Sequence, residues 1–231
     1  MTSYDALIFD CDGVLVNSEE IVQDIELALL AESGLHYDRS AFAQRFLGVS
    51  DEYFYRALNR DANSRLGKPL PQDFPEVLHR RARAAFQERL QAFPGTAAVL
   101  RRCTSKIAVA SSSSIAGLSF KLAHTELKAH FEPHIYSAEH VAAGKPEPDI
   151  YHYAAAQIDS QPAACLVVED SINGVLAGVA AGMTVLGFTA GAHCGAGHEA
   201  QLLAAGARKV VSSMAELQTE LQRLGMAVSD T

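Results

Sequence analysis

Short runs of consecutive apolar residues recur along this chain of 231 residues, and they limit its fold more than any other feature. Each run is aliphatic or β-branched and is bounded by polar or turn-forming residues. Continuous rather than alternating apolar runs are typical of strands that are buried on both faces of a parallel sheet. The runs are Ala6–Phe9, 107–110, 166–168, 185–188 and the weaker Lys209–Val211.

Helical patterns lie between these runs. One helix is predicted over Thr96–Arg102 with Thr96 as its N-cap, and another follows Asp170 and ends near Gly182. Strands that alternate with helices predict an α/β fold with a doubly wound parallel sheet.

The stretch 19–91 interrupts this alternation, because it contains no convincing strand. A Gly- and Pro-rich connection is predicted at 63–75. We predict a small helical cap domain at 19–91, inserted into an α/β core formed by 1–18 and 92–231; the alternative is a second structural layer. An insertion after the first strand would lie over the carboxyl edge of the sheet, where open α/β sheets bind ligands. Helical spacing is marked by Ile21, Ile25, Ala28 and Leu29, by Phe42 and Phe46, and by Leu78, Ala82, Phe86 and Leu90.

Composition excludes several other classes of protein. Apolar residues make up 48% of the chain, which argues for a packed core and against disorder. The 19 basic and 27 acidic residues give a net charge of −8 without a block of like charge, so nucleic acid is not an expected partner. No apolar run approaches the ~18 residues that a membrane span needs, and no signal peptide is recognised. Scattered cysteines indicate a reduced, cytoplasmic protein without a zinc site; we expect a monomer, with a dimer as the alternative.

Polar residues follow three of the predicted strands, at ends that a parallel sheet brings to one edge. They are Asp10 and Asp12, then Ser111, then Glu169 and Asp170. Carboxylates this close raise one another's pKa unless a cation neutralises them. Such oxygen ligands suit Mg²⁺, which binds few carboxylates and keeps waters or phosphate oxygens.

These residue types favour phosphoryl transfer. A carboxylate can attack phosphorus to form an acyl phosphate, and a second carboxylate can protonate the leaving oxygen and then activate water. Ser111 and Lys145 would hold the remaining phosphate oxygens. Taken alone, residues 10–13 (Asp-Cys-Asp-Gly) are also typical of a turn or a calcium-binding loop, and Lys145 of a solvated loop.

Four segments resemble the motifs of the haloacid dehalogenase superfamily, in its order. They are 9–19 (FDCDGVLVNSE), 110–114 (ASSSS), 144–149 (GKPEPD) and 168–174 (VEDSING). The closest branch is that of the sugar-phosphate phosphatases and β-phosphoglucomutases, whose helical cap is inserted after the first motif.

The resemblance implies roles for the carboxylates. Asp10 would be the nucleophile and a Mg²⁺ ligand. Asp12 would be the general acid and base, with its backbone carbonyl on the metal. Asp170 would bind Mg²⁺, and Glu169 would be either a ligand or a partner of the ligands.

The resemblance also implies a phosphate site. Ser111, Ser112 and Lys145 would bind phosphate, and Lys145 would offset the charge of Asp10. Ser113 and Ser114 are interpreted as a polar turn.

The sequence departs from the mutase branch at two cap positions. Val22 stands where the mutases carry a histidine. Asp51 follows residues 48–50 (Gly-Val-Ser), where the mutases carry an arginine for the second phosphate. A mutase must hold a bisphosphate at both ends, so a phosphatase is favoured. A mutase would need another cation, such as Arg45 or Arg80.

We therefore expect a Mg²⁺-dependent phosphatase that acts on a small phosphorylated metabolite, and a sugar phosphate is the favoured class of substrate. The alternatives are a hexose-phosphate mutase and, in a different class, a non-catalytic phospho-ligand binding protein. The segment 191–198, with His193, Cys194 and His198, lacks a fourth zinc ligand and is interpreted as a mobile loop.

Overall fold

The computed structural model describes residues 4–46 and 51–226, and the side chain of Asp51 is not described. Six strands form one parallel sheet in the order β3-β2-β1-β4-β5-β6. All five predicted runs are strands, whereas the short β3 was not predicted. The strands are β1 (Ala6–Phe9), β2 (Lys106–Ser111), β3 (Ile135–Ser137), β4 (Cys165–Glu169), β5 (Thr184–Phe188) and β6 (Lys209–Val211).

Helices fill the connections between the strands. Between β1 and β2 lie α1 (Ser18–Glu32), α2 (Arg39–Phe46), α3 (Asp51–Leu66), α4 (Phe74–Arg89) and α5 (Thr96–Arg102). Between β2 and β4 lie α6 (Ile115–His124), α7 (Lys128–Phe131) and α8 (Asp149–Gln157), with 3₁₀ turns at Ala138–His140 and Pro162–Ala164. The remaining helices are α9 (Ile172–Ala180), α10 (His198–Ala204) and α11 (Met214–Arg223).

Both faces of the sheet are covered, as the continuous apolar runs predicted. Leu7 and Phe9 of β1 point into one apolar cluster with residues of α5, α6, α7 and α11. Ala6 and Ile8 point into a second cluster with residues of α8, α9 and α10. The α/β fold class with a doubly wound parallel sheet is therefore confirmed.

Two local predictions about helix ends were wrong. Thr96 is not the N-cap of α5, because the cap position is Gly95, and the Thr96 hydroxyl instead donates to the Phe93 carbonyl at 2.8 Å. The connection predicted at 63–75 is shorter at both ends, because α3 continues to Leu66 and α4 begins at Phe74. Gly182, predicted as a helix stop, has a φ of 76° two residues after α9 ends.

The chain enters and leaves the α1–α4 insertion side by side. The Asn17 backbone N–H donates to the Gln91 carbonyl at 3.1 Å, and the Gln91 N–H donates to the Asn17 side chain at 2.9 Å. The Phe93 N–H donates to the Leu15 carbonyl at 3.0 Å. Apolar residues of α1–α4 share the first apolar cluster with the sheet. A separate cap domain at 19–91 stays a prediction.

Candidate active site

A buried ion pair joins Asp10 to Lys145 where β1 ends. The Asp10 backbone N–H continues the sheet by donating to the Val168 carbonyl at 3.0 Å. Lys145 Nζ donates to Asp10 Oδ1 at 2.5 Å, to Glu169 Oε1 at 2.6 Å and to the Ala110 carbonyl at 3.1 Å. Burial alone would lower the pKa of Lys145, but the charges of Asp10 and Glu169 outweigh it and raise that pKa well above its ordinary value. Lys145 is therefore a fixed cation beside Asp10 and not a solvated loop residue.

Every oxygen of the Glu169 carboxylate already has protein partners. Oε1 accepts from Lys145 and, at 3.0 Å, from the Tyr151 hydroxyl. Oε2 accepts from the Ser171 backbone N–H at 2.9 Å and from its hydroxyl at 3.0 Å. Gly174 gives this carboxylate room, since a Cβ there would lie 1.7 Å from Oε1. Glu169 was predicted to be either a metal ligand or a partner of the ligands. These contacts favour the second role, in which Glu169 positions Lys145.

Asp12 lies in a second polar cluster, which contains a lysine that the sequence reasoning missed. Asp12 Oδ1 accepts from the Ser18 hydroxyl at 2.5 Å and from Lys121 Nζ. Oδ2 accepts from the Ser113 hydroxyl at 2.7 Å and from the Ser111 hydroxyl at 3.3 Å. Burial would raise the pKa of Asp12, but the charge and hydrogen bond of Lys121, with the two serine bonds, lower it to about 2. Asp12 is thus held as a carboxylate.

The sequence carried a usable signal for Lys121. Leu118 and Leu122 mark the buried face of α6, and Lys121 lies on that same face with only 6% of its surface exposed. A buried lysine needs a carboxylate partner. Ser113, which was interpreted as part of a polar turn, also belongs to this cluster. Its hydroxyl donates to Asp12 Oδ2 and accepts from Lys121 Nζ at 2.7 Å. Ser112 is exposed, and its phosphate contact stays a prediction.

Asp170 is packed against a histidine of the 191–198 segment. His193 Nε2 and Asp170 Oδ2 are 2.8 Å apart, and both side chains are buried. His198 Nε2 lies 2.5 Å from the Asp170 carbonyl. Burial raises the pKa of Asp170 and lowers that of His193. Both histidines are therefore part of the buried site.

The donor set of this crevice fits a divalent cation. The four strand-end carboxylates face two ammonium groups, Lys121 and Lys145, so full ionisation would leave two carboxylates without a matching cation. Burial raises the pKa of Asp10 and of Asp170, and neighbouring carboxylates add to both shifts. Within residues 4–46 and 51–226, no three His, Cys, Asp or Glu side chains form a complete cage. Mg²⁺ requires none, because it keeps waters and substrate oxygens beside one or two carboxylates.

Glu19, in the first turn of α1, adds a fifth carboxylate to the crevice. Burial raises the pKa of Glu19 to about 7, and the charges of Asp12 and Asp170 contribute to that rise. Its neighbour Glu20 accepts a hydrogen bond at 2.6 Å from the Ala192 backbone N–H. The first turn of α1 therefore contacts the site from the side of the inserted helices.

Comparisons with known proteins agree with this geometry. The family of haloacid dehalogenase-like hydrolases matches residues 4–182. The chain belongs to this family, which confirms the resemblance of the four motifs.

Named relatives narrow the class of enzyme. A 6-phosphogluconate phosphatase from Escherichia coli is 26% identical over 84% of this chain and 86% of its own length. Hexitol phosphatase B from the same species is 29% identical over 77% of this chain and 80% of its own. A Deinococcus radiodurans HAD family hydrolase, solved with bound phosphate and sodium, superposes with a TM-score of 0.85 at 36% identity, covering 99% of this chain and 100% of that one.

The family and these relatives make the chain a phosphatase, an enzyme that hydrolyses phosphoric monoesters. Among the described helices, none is long and apolar enough to cross a bilayer.

Proposed function

We propose that the chain is a Mg²⁺-dependent phosphatase that hydrolyses a small sugar phosphate through an aspartyl-phosphate on Asp10. The observation that carries this proposal is the placement of Asp10 and Asp12, two residues apart, in two separate cation-containing clusters. Lys145 pairs with Asp10 in the first cluster, and Lys121 pairs with Asp12 in the second. Two carboxylates held apart in this way can take different roles in one reaction.

In the first step, an Asp10 carboxylate oxygen attacks phosphorus and the bond to the leaving oxygen breaks. Lys145 Nζ, bonded to Asp10 Oδ1, would hold a phosphate oxygen beside the nucleophile, and the Ser111 hydroxyl would hold another. Bound Mg²⁺, held by Asp10, Asp170 and the Asp12 carbonyl, would supply charge neutralisation for the phosphoryl group.

In the second step, Asp12 acts as the base that removes a proton from water as the water attacks phosphorus; the bond between phosphorus and the Asp10 oxygen breaks, which releases inorganic phosphate and restores the Asp10 carboxylate. Lys121, Ser18 and Ser113 hold Asp12 as a carboxylate, which suits this step. The first step needs a protonated Asp12 to supply the leaving oxygen with a proton, so Asp12 must leave that cluster or gain a proton there when substrate binds.

A sugar phosphate is the substrate class that the crevice and the relatives favour together. Glu19 places a carboxylate, an acceptor for hydroxyl groups, in the first turn of α1. The two named relatives are a 6-phosphogluconate phosphatase and a hexitol phosphatase.

The contacts of the inserted helices do not favour a mutase. Val22 is partly buried against the apolar cluster and offers no proton-transfer group. Residues 48–50 and the Asp51 side chain, which carried the second part of the argument, lie outside the described residues. Arg45, a candidate for the missing cation, is held by Asp61 through two bonds of 2.5 and 2.9 Å. Arg80 is exposed on α4.

A panel of sugar phosphates titrated with Mg²⁺ tests the proposal, with phosphorus NMR following both inorganic phosphate and positional isomers. We expect stoichiometric release of phosphate and little isomer, even when a sugar bisphosphate primer is added. Isomer that accumulates much faster than phosphate would favour the mutase. A folded chain that binds these esters but turns none of them over would favour the non-catalytic binding protein.

A further inference from the structure

We propose that His193 is a positioning residue that fixes the carboxylate of Asp170 for the divalent cation. The inference rests on the proposed function, because it assigns Asp170 to that cation. His193 lies outside the four motifs, and its imidazole reaches the site from the segment that follows β5.

The hydrogen bond between the two side chains is buried on both sides. The His193 side chain is 1% exposed and that of Asp170 is 5% exposed, with 2.8 Å between Nε2 and Oδ2. An imidazole Nε2–H that donates to Oδ2 would restrain the orientation of the Asp170 carboxylate. Partners of this kind orient metal ligands and contribute strongly to metal affinity.

The second ring nitrogen of His193, Nδ1, does not explain why the ring is buried here. Within the described residues, His193 Nδ1 is buried without a hydrogen-bond partner. An unpaired buried polar atom is costly, so its own hydrogen bonding does not account for the position of the ring. The hydrogen-bond contacts of the ring are made by Nε2, to Asp170 Oδ2 at 2.8 Å and to the neighbouring Cys194 Sγ at 3.4 Å.

Two glycines make room for the pair. A Cβ on Gly13 would lie 1.9 Å from Asp170 Oδ2 and 3.0 Å from His193 Nε2, and the φ of Gly13 is 73°. A Cβ on Gly191 would lie 2.2 Å from His193 Nδ1. The backbone therefore approaches this pair from both sides, which leaves the imidazole little freedom to turn away.

The segment that carries His193 is anchored on both sides. Glu20 of α1 accepts from the Ala192 N–H at 2.6 Å, and His198 contacts the Asp170 carbonyl at 2.5 Å. The prediction of a mobile loop does not agree with these contacts. They hold His193 against Asp170 through its neighbours in the chain.

Calorimetric titration of the full chain with Mg²⁺ alone, with no substrate present, tests the inference. His193→Gln places an amide N–H near the position of Nε2, whereas His193→Asn places one near the position of Nδ1. We expect His193→Asn and His193→Ala to weaken Mg²⁺ binding by about tenfold or more, and His193→Gln to retain most of it. His36→Ala, at an exposed site, is the control and should bind as the wild type does.

A second readout separates positioning from a general structural role. Activity should return in His193→Asn at high Mg²⁺, with kcat near that of the wild type, because only the metal requirement has changed. Equal Mg²⁺ affinity in the wild type, the Asn variant and the Gln variant would overturn the inference while leaving the phosphatase intact. A wild-type chain that binds no Mg²⁺ but still hydrolyses esters would overturn both the metal assignment and this inference.

Discussion

Replacing Lys145 with methionine is the perturbation whose consequences the structure defines best. Methionine keeps most of the length and apolar volume of the side chain but removes its charge. Lys145 Nζ lies between Asp10 Oδ1 and Glu169 Oε1, and its side chain is 4% exposed. The substitution therefore leaves two buried carboxylates without their shared cation.

Breaking a buried ion pair by removing one partner typically costs about 3–5 kcal/mol. For a chain of this size each kcal/mol lowers Tm by about 2–4 °C, so we expect a loss of about 6–20 °C. The loss of stability should become larger as the pH rises. Lys145 opposes the rise in the pKa of Asp10, so without it that pKa rises further. A raised pKa in the folded state means that stability is lost as the carboxyl ionises.

Thermal unfolding of Lys145→Met in chelator, in mildly acidic and mildly alkaline buffers, measures both effects. Lys128→Met is the matched control, because Lys128 pairs with Glu132 at 3.3 Å on the surface. The control should lose less than about 1 kcal/mol. If both variants unfolded alike, or if the Lys145→Met deficit were independent of pH, the account of this ion pair would be wrong.

Two further predictions concern the carboxylates of the crevice. Lys121→Met should raise the pKa of Asp12 from about 2, so the acidic limb of the pH–rate profile should shift to higher pH. The substitution should also lower kcat about tenfold or more, and an unchanged profile would contradict this prediction. Glu19→Gln removes a carboxyl whose pKa rises from 4.5 to about 7 on folding, so the folded wild type loses stability relative to the variant as pH rises through that interval. The difference in unfolding free energy, measured in chelator, should grow by up to about 3 kcal/mol, and equal slopes against pH would refute the environment assigned to Glu19.

The sheet and most of the site were predictable because their signals are local. Each strand except β3 contains one of the predicted apolar runs, and Asp10, Ser111 and Glu169 each follow such a run directly. Parallel topology then brings these residues to one edge. β3, Ile135–Ser137, has only two apolar residues and pairs only with β2, at the edge of the sheet.

The residues that were missed depend on long-range packing. Lys121 is ten residues beyond Ser111, and only the burial of one face of α6 brings it to Asp12. His193 lies 23 residues from Asp170, and its burial follows from contacts that spacing cannot reveal. The sequence alone therefore predicted the strand that carries Asp10 better than it predicted the side chains that surround Asp10 and Asp12.

The central claim is that Asp10 carries the phosphoryl group during turnover. Rapid acid quenching of the chain during turnover of a hexose phosphate, followed by mass spectrometry of its peptides, tests this directly. We predict one phosphoryl group on the peptide that contains Asp10 and none in Asp10→Asn. Multiple turnover by a folded Asp10→Asn chain, or a phosphoryl group on any other residue, would contradict the account.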